Sequence, residues 1–375
     1  MSQPPRLPWI DHLRTLVIVL VVNMHSCVTY SNVGSWYVNI PREPSRGEKI
    51  LFILWQGHLQ SFFMGLLFFV SGYFAHGSLV RRGPGAFMRE RLFRLGMPTL
   101  FYALVIHPYI LKGINPWQAD FGPFPAFYGH YLISGRFLGS TGPLWFAAAL
   151  LIFSGILAGW RKARGAGVPA PDPSPPAVST VLLFALGIGA VTFGVRLLQP
   201  LGTDVLNMQL GYFTQYIAAF AAGVAAARNG WLLRLAASRK AAWCGWMALV
   251  LGPAVLLALL VLGSKGGIAN FAGGWHWQAF GLAVWEQFAG VGLSLGLIYL
   301  FAARLGGDTP ALRWLADRSF GVYVLHAPVL VWLYLVLPQA MSPFALAFLM
   351  TIAGLGISFV LADIARRTPG LRTFL

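Results

Sequence analysis

The sequence predicts an all-α, polytopic transmembrane helix bundle of about ten spans with both termini in the cytoplasm, and three observations carry the prediction. First, 57% of the 375 residues are apolar and only 10% charged, with a mean hydropathy of +0.67. A soluble domain carries roughly a quarter charged residues, and no compact soluble fold of this size hides so much apolar surface, so lipid is the solvent. Second, ten stretches come close to the roughly 20 apolar residues that cross a bilayer. Third, the cations are lopsided. Of the 27 Lys and Arg residues, 20 lie on segments that share a side with the N-terminus under this topology, and 7 lie on the other. Cationic excess marks the cytoplasmic side. Topology therefore accounts for the net charge of +16, and nucleic acid is not expected as a partner.

In chain order the first stretch is 13–33, with Arg6 and Arg14 ahead of its apolar run from Leu16 to Val22. It runs into Asn23, Met24, His25, Ser26 and Cys27, which form no small-x-small cleavage site, so it reads as a span rather than a signal peptide. The second, 50–76, contains the aromatic run FFMGLLFFVSGYF. The third, 97–113, is short and interrupted by Pro98 and Pro108, which makes it the weakest. Segment 121–138 is rich in Phe and Tyr but broken by Gly122, Pro123 and Pro125, and it carries His130 and Arg136. It reads as an interfacial or re-entrant helix, with an eleventh span as the alternative. Stretches 143–160 and 179–198 are separated by GAGVPAPDPSPPA (165–177), a Pro-rich cytoplasmic linker. Stretches 209–227, 242–263, 279–303, 319–337 and 344–364 complete the set. With no internal repeat, residues 1–375 are expected to form a single membrane domain. Cys27 and Cys244 lie in apolar runs without metal-ligand spacing, so neither a disulfide nor a metal site is expected.

Ionisable groups inside spans are costly unless they face a cavity or a partner. Arg14 and His25 are eleven residues apart, 20° beyond three full turns, so they share one helical stripe with Ile18 and Val21. They are separated by about 16 Å along the axis. Arg14 is predicted at the cytoplasmic headgroups, three residues after Asp11, and His25 near mid-membrane. Other spans supply His58 and Gln60, then Ser71, Tyr73 and His76, then Ser319, Tyr323 and His326. His326 is expected about two turns inside its span from the cytoplasm, and Glu286 is the one carboxylate well inside a span. A buried carboxylate needs a partner or a proton. For Ser71 and Gly72 the plain alternative is close helix packing, and for Arg14 it is anchoring at the interface. Arg91 and Arg94, in LVRRGPGAFMRERLFRLGMP (79–98), share a helical face. They suit either anionic lipid or the phosphates of a cofactor.

These residues resemble the acyltransferase-3 family of integral membrane acyltransferases, which modify bacterial glycans. Arg14 and His25 match its Arg, ten residues, then His pattern; Ser71, Gly72 and Tyr73 match its second-span motif. RERLFRLGMP (89–98) is similar to its basic entry to the third span, and GPLWF (142–146) with Trp145 to its tryptophan signature. RSFGVYVLHAP (318–328) is similar to its Tyr-x-x-His signature. The resemblance implies a multi-pass protein of the bacterial inner membrane. It also implies transfer of an acyl group, acetyl or succinyl, from cytoplasmic acyl-CoA to a hydroxyl of a periplasmic or surface glycan. Acyl-CoA is then a co-substrate, with no tightly bound cofactor; the other partners are the carbohydrate acceptor and membrane lipid.

The implied site has His25 and Arg14 as catalytic residues. Ser71, Tyr73, Arg91, Arg94, Trp145, Glu286, Tyr323 and His326 bind donor or substrate. Imidazole suits proton removal from an alcohol near neutral pH. Two mechanisms stay open: His25 deprotonates the acceptor directly, or it carries the acyl group covalently. Segment GSWYVNIPREP (34–44) is mildly similar to the glucan-modifying members. A proton-coupled carrier using His25, Glu286 and His326 is the alternative from another class, and an inactive lipid-sensing scaffold a third.

Overall fold

The computed structural model describes residues 7–114, 122–164 and 174–373. Helix α1, Pro8–Ser31, opens with a proline in its first turn, where a missing N–H costs nothing. Helix α2, Arg46–Arg91, starts at a capping box in which Ser45 and Glu48 satisfy each other's backbone N–H groups. Helical structure then continues to Ile114, a stretch of 69 residues. At 1.5 Å per residue that is about 100 Å, some three times the hydrocarbon thickness. Gly83 resolves the excess: its φ of 74° and ψ of 164°, followed by Pro84, break the helix and reverse the chain. Beyond the break Met88 packs near Gly155, and the Tyr102 hydroxyl meets that of Tyr37, just past the end of α1, at 3.0 Å. The second and third predicted spans are thus two passes of one interrupted helix.

The two prolines of the third span bend it rather than end it. Helices α3, Met97–Phe101, and α4, His107–Ile114, are each preceded by a π-helical turn, at Leu92–Gly96 and Tyr102–Ile106. Each wider turn ends two residues before Pro98 or Pro108, where the ring would otherwise strike the carbonyl four residues back. Helix α5, Phe124–Ile133, has ten residues and spans about 15 Å, half a bilayer core. This described helix is therefore too short to be an eleventh crossing.

The remaining helices are α6 (Trp145–Arg164), α7 (Val178–Leu198), α8 (Phe213–Asn229), the short α9 (Trp231–Ala236), α10 (Arg239–Gly263), α11 (Trp277–Arg304), α12 (Pro310–Val336) and α13 (Pro343–Arg367). Nine described helical stretches, with Arg46–Ile114 as one of them, are long and apolar enough to cross a membrane. The chain is a multi-pass, all-α bundle. Most of the expected linker, 165–173, lies outside the described residues.

Helix α1 packs against α2, α12 and α13, and α2 lies along α8. Small residues set these contacts. A methyl group at Gly72 would strike the Phe220 carbonyl, and one at Gly223 would strike that of Phe69. Helices meeting this closely gain from packing where lipid offers no hydrophobic drive. Gly72 therefore has the packing role that the sequence allowed for it. We call the end of the bundle where α1 begins the near end, and the end where α1 finishes and α2 starts the far end.

Candidate active site

Helix α12 begins at Pro310, nine residues before the predicted boundary, because Thr309 caps it by accepting from the Leu312 N–H. His326 is consequently about 24 Å along its helix. His25, about 26 Å along α1 from the same end, lies level with it. The rings meet: His25 Nδ1 is 2.9 Å from His326 Nε2. His326 is wholly buried, and its Nδ1 is 2.8 Å from the Tyr323 carbonyl oxygen.

That carbonyl fixes the protons. A carbonyl only accepts, so His326 Nδ1 carries the hydrogen and, in the neutral ring, Nε2 is the acceptor. His25 Nδ1 must then donate to it. The remaining nitrogen, His25 Nε2, keeps its lone pair, which is the form a general base requires. Trp36 lies over the His25 ring, with centroids 3.7 Å apart and planes 13° from parallel. An indole face in this position holds the imidazole flat.

Trp36 comes from the connection between α1 and α2, which folds back over the far end. Ile40 N–H donates to the Thr29 carbonyl, the Tyr334 hydroxyl to that of Asn39, and Arg42 reaches the Met341 carbonyl. Lys49 and Asn32 hold Glu43 at 2.7 and 3.3 Å. Hydrogen bonding and charge from Lys49 keep the exposed Glu43 carboxyl below the usual carboxylate range. Burial pushes the Tyr37 phenol above its ordinary range, against the hydrogen bond from Tyr102.

Behind Trp36 is a cavity of about 740 Å³ bordered by His25, Tyr323, Trp145, Gln60, Tyr212 and Glu286. None of its described lining residues is Lys or Arg. Tyr323 also donates its hydroxyl to the Pro143 carbonyl, pinning the turn that starts α6 and presents Trp145. Glu286 is 5% exposed and has the partner its burial demands: Arg196 Nη2, from α7, is 2.6 Å from Oε2. Arg196 is itself completely buried and also donates from Nε to the Gly211 carbonyl at 3.1 Å.

Of the sequence-predicted site residues, the structure thus gathers His25, His326, Tyr323, Trp145 and Glu286 at the far-end cavity or its wall. Arg14, Ser71, Tyr73, Arg91 and Arg94 do not line it. On the α1 stripe Ile18 and Val21 are buried, while the Arg14 side chain is 46% exposed and 3.7 Å from Asp11. Arg14 sits within electrostatic reach of Arg91 and Arg94. The Arg91 guanidinium lies 5.2 Å from the Phe87 ring centre, and Arg94 pairs with Glu90 at 3.4 Å. Ser71 and Tyr73 are half-buried on α2 toward the near end. The two groups therefore occupy opposite ends: an aromatic, amide-lined cavity at one and a guanidinium cluster at the other.

Sequence reasoning missed Trp36 and Arg196. Trp36 lies in a loop whose path no spacing reveals. Arg196 did carry a signal, as the cation closest to the inside of its apolar run at the end where Glu286 needed a counter-charge.

Known proteins resemble this chain along almost its whole length. The family model for an acyltransferase domain, acyltransferase-3, matches residues 7–363. The chain is 23% identical to glucans biosynthesis protein C of Salmonella typhi over 379 residues, covering 98% of this chain and 94% of the relative. The protein of the same name from Salmonella typhimurium gives the same values, and that of Salmonella paratyphi B is 22% identical with the same coverage. No solved structure matches significantly. The chain belongs to the acyltransferase-3 family and is a membrane O-acyltransferase, which displaces the carrier and scaffold alternatives.

Proposed function

We propose that this enzyme transfers an acyl group, acetyl or succinyl, from acyl-CoA to a hydroxyl of a glycan, with the near end in the cytoplasm of a bacterium and the far end outside its inner membrane. The observation that supports this best is the His25–His326–Tyr323 relay, which leaves His25 Nε2 unprotonated beside the cavity. Glucan as the acceptor class rests on the relatives' name. Both termini are cytoplasmic in this reading, and residues 1–375 act as one catalytic unit with 165–177 as a spacer.

The division of charge suggests the division of labour. A glycan hydroxyl enters the far-end cavity, where no Lys or Arg competes for it. CoA, with its phosphates, approaches the near end, where Arg14, Arg91 and Arg94 concentrate positive charge. Ser71 and Tyr73, half-buried on α2 toward the near end, are assigned to donor binding in this reading. In direct transfer His25 Nε2 takes the hydroxyl proton as the oxygen attacks the thioester carbonyl, and the proton then passes to the departing CoA sulfur. In the covalent alternative Nε2 itself attacks the thioester, releases CoA as its thiolate and hands the acyl group to the hydroxyl, whose released proton balances that thiolate. Acyl-CoA is a co-substrate in either case, with no resident cofactor.

The test is incubation of purified protein with radiolabelled acetyl-CoA or succinyl-CoA and a glucan. Label on the glucan is expected. Absence of transfer from both donors, with protein that is folded and monodisperse, overturns the proposal.

A further inference from the structure

Glu286 stands apart from the His25 relay yet borders the same cavity, and its chemistry is unusually well defined. Arg196 fixes one oxygen, Oε2, at 2.6 Å, while Oε1 has no hydrogen-bond partner among the described residues and is not sealed from the cavity. The carboxylate is held in place from behind. Arg196 is anchored to the Gly211 carbonyl and lies 5.1 Å from the Tyr212 ring centre. A carboxylate already matched by a buried guanidinium gains little from a second cation and, being acceptor-only, seeks a hydroxyl or N–H.

The neighbouring groups narrow the ligand further. Gln60 spends its Nε2 on the Tyr216 hydroxyl at 3.1 Å, which leaves Oε1 as another acceptor. Trp145 and Tyr212 supply apolar ring surface to the same cavity. Acceptors set among aromatic rings, without Lys or Arg, suit a neutral polyhydroxylated ring: hydroxyls at its edge, C–H groups on its faces. A phosphate or a free carboxylic acid is poorly matched.

We infer that Glu286, positioned by Arg196, is a hydroxyl-binding residue of a neutral-saccharide subsite that fixes how the acceptor is oriented toward His25. This deepens, and rests on, the acyl-transfer reading above.

Binding is measured without donor, by quenching of intrinsic tryptophan fluorescence, with a β-linked glucohexaose and its permethylated counterpart. The wild-type protein should bind the first and lose about tenfold or more in affinity for the second, because methylation removes the donated hydrogens. Glu286→Gln should weaken glucohexaose binding to a similar degree. Because that variant leaves Arg196 unmatched, a second one, Arg196→Met with Glu286→Leu, removes both charges together and keeps the packing. It should also fail to bind while its thermal unfolding stays near that of the wild type. Equal affinity in wild type and the folded double variant overturns the subsite, as does wild-type indifference to methylation. Label transfer measured alongside separates the two ideas. Saccharide binding that depends on Glu286 in a protein transferring no label overturns the acyl-transfer reading and supports the subsite. Normal transfer without dependence on Glu286 overturns the subsite alone.

Discussion

Arg14 and His25 lie on one stripe of one helix, about 16 Å apart, yet the protein treats them in opposite ways. His25 is built in: Trp36 covers its face, His326 Nε2 accepts a hydrogen bond from its Nδ1–H, and the Tyr323 carbonyl sets the tautomer of that neighbour. Arg14 is half-exposed, with only a long 3.7 Å approach to Asp11 among cations of its own sign. A group that must move a proton at a defined atom needs a fixed ring and a fixed tautomer. A group that collects a charged, flexible donor works through potential and gains from staying free to adjust. The contrast teaches that matching motif residues need not share one mode of action.

The sharpest way to break the comparison is His25→Ala. Label transfer should fall by about 10² to 10⁴, the usual scale for losing a general base. Thermal unfolding should change little, since the ring borders a cavity. Transfer within about tenfold of the wild type would show the ring to be structural.

His326 tests whether the relay, rather than the ring alone, matters. His326→Ala removes the acceptor for His25 Nδ1–H and should cost about 10- to 100-fold, the range typical of groups that orient a reactive side chain. His326→Gln keeps an acceptor oxygen within reach of that proton and should recover most of the loss. If the Gln and Ala variants are equally impaired, His326 serves packing and the tautomer argument fails.

How much of this could be read from the sequence follows from the same physics. Apolar length marked the spans, and polar residues inside them marked His25, Glu286 and His326, because lipid penalises each without regard to the fold. The carboxylate at 286 even announced that a partner had to exist. Naming Arg196 required knowing that α7 and α11 lie side by side, and that is tertiary information. Trp36 was out of reach for a different reason: a loop has no period, so nothing local says that it folds back over His25. The helix that carries His326 starts ahead of its apolar run because Thr309 caps a first turn that hydropathy does not register.

At the near end, Arg14→Lys keeps the charge but loses the planar fork that grips phosphate or a thioester oxygen. We expect a decrease of about tenfold in activity, read chiefly as a raised KM for acyl-CoA, with the acceptor KM unmoved. An anchor at the interface would tolerate the exchange. Equal donor KM in both proteins would therefore return Arg14 to that plainer role and leave the near end without a demonstrated ligand.

The smallest effect is expected at the strap that carries Trp36. Glu43 holds it through Lys49 and Asn32, but the pair is exposed, with the Glu43 side chain 66% accessible, and exposed pairs contribute little. The strap is also held by Ile40, by Tyr334 acting on Asn39, and by Arg42. Glu43→Gln should therefore change transfer by less than about twofold at neutral pH. The sign of the pH effect follows from the lowered pKa of Glu43. The interaction is fully present above the unfolded carboxyl value of about 4.3 and is lost as pH falls through the lower folded value. Fluorescence from a variant keeping Trp36 as its reporter should thus stay constant from about pH 5 to pH 8, then change below about pH 4 in the wild type. In Glu43→Gln that acid step should be absent. An acid step of equal size in both proteins would assign it to another carboxylate, and the hold on Trp36 would then rest on the backbone contacts of the strap alone.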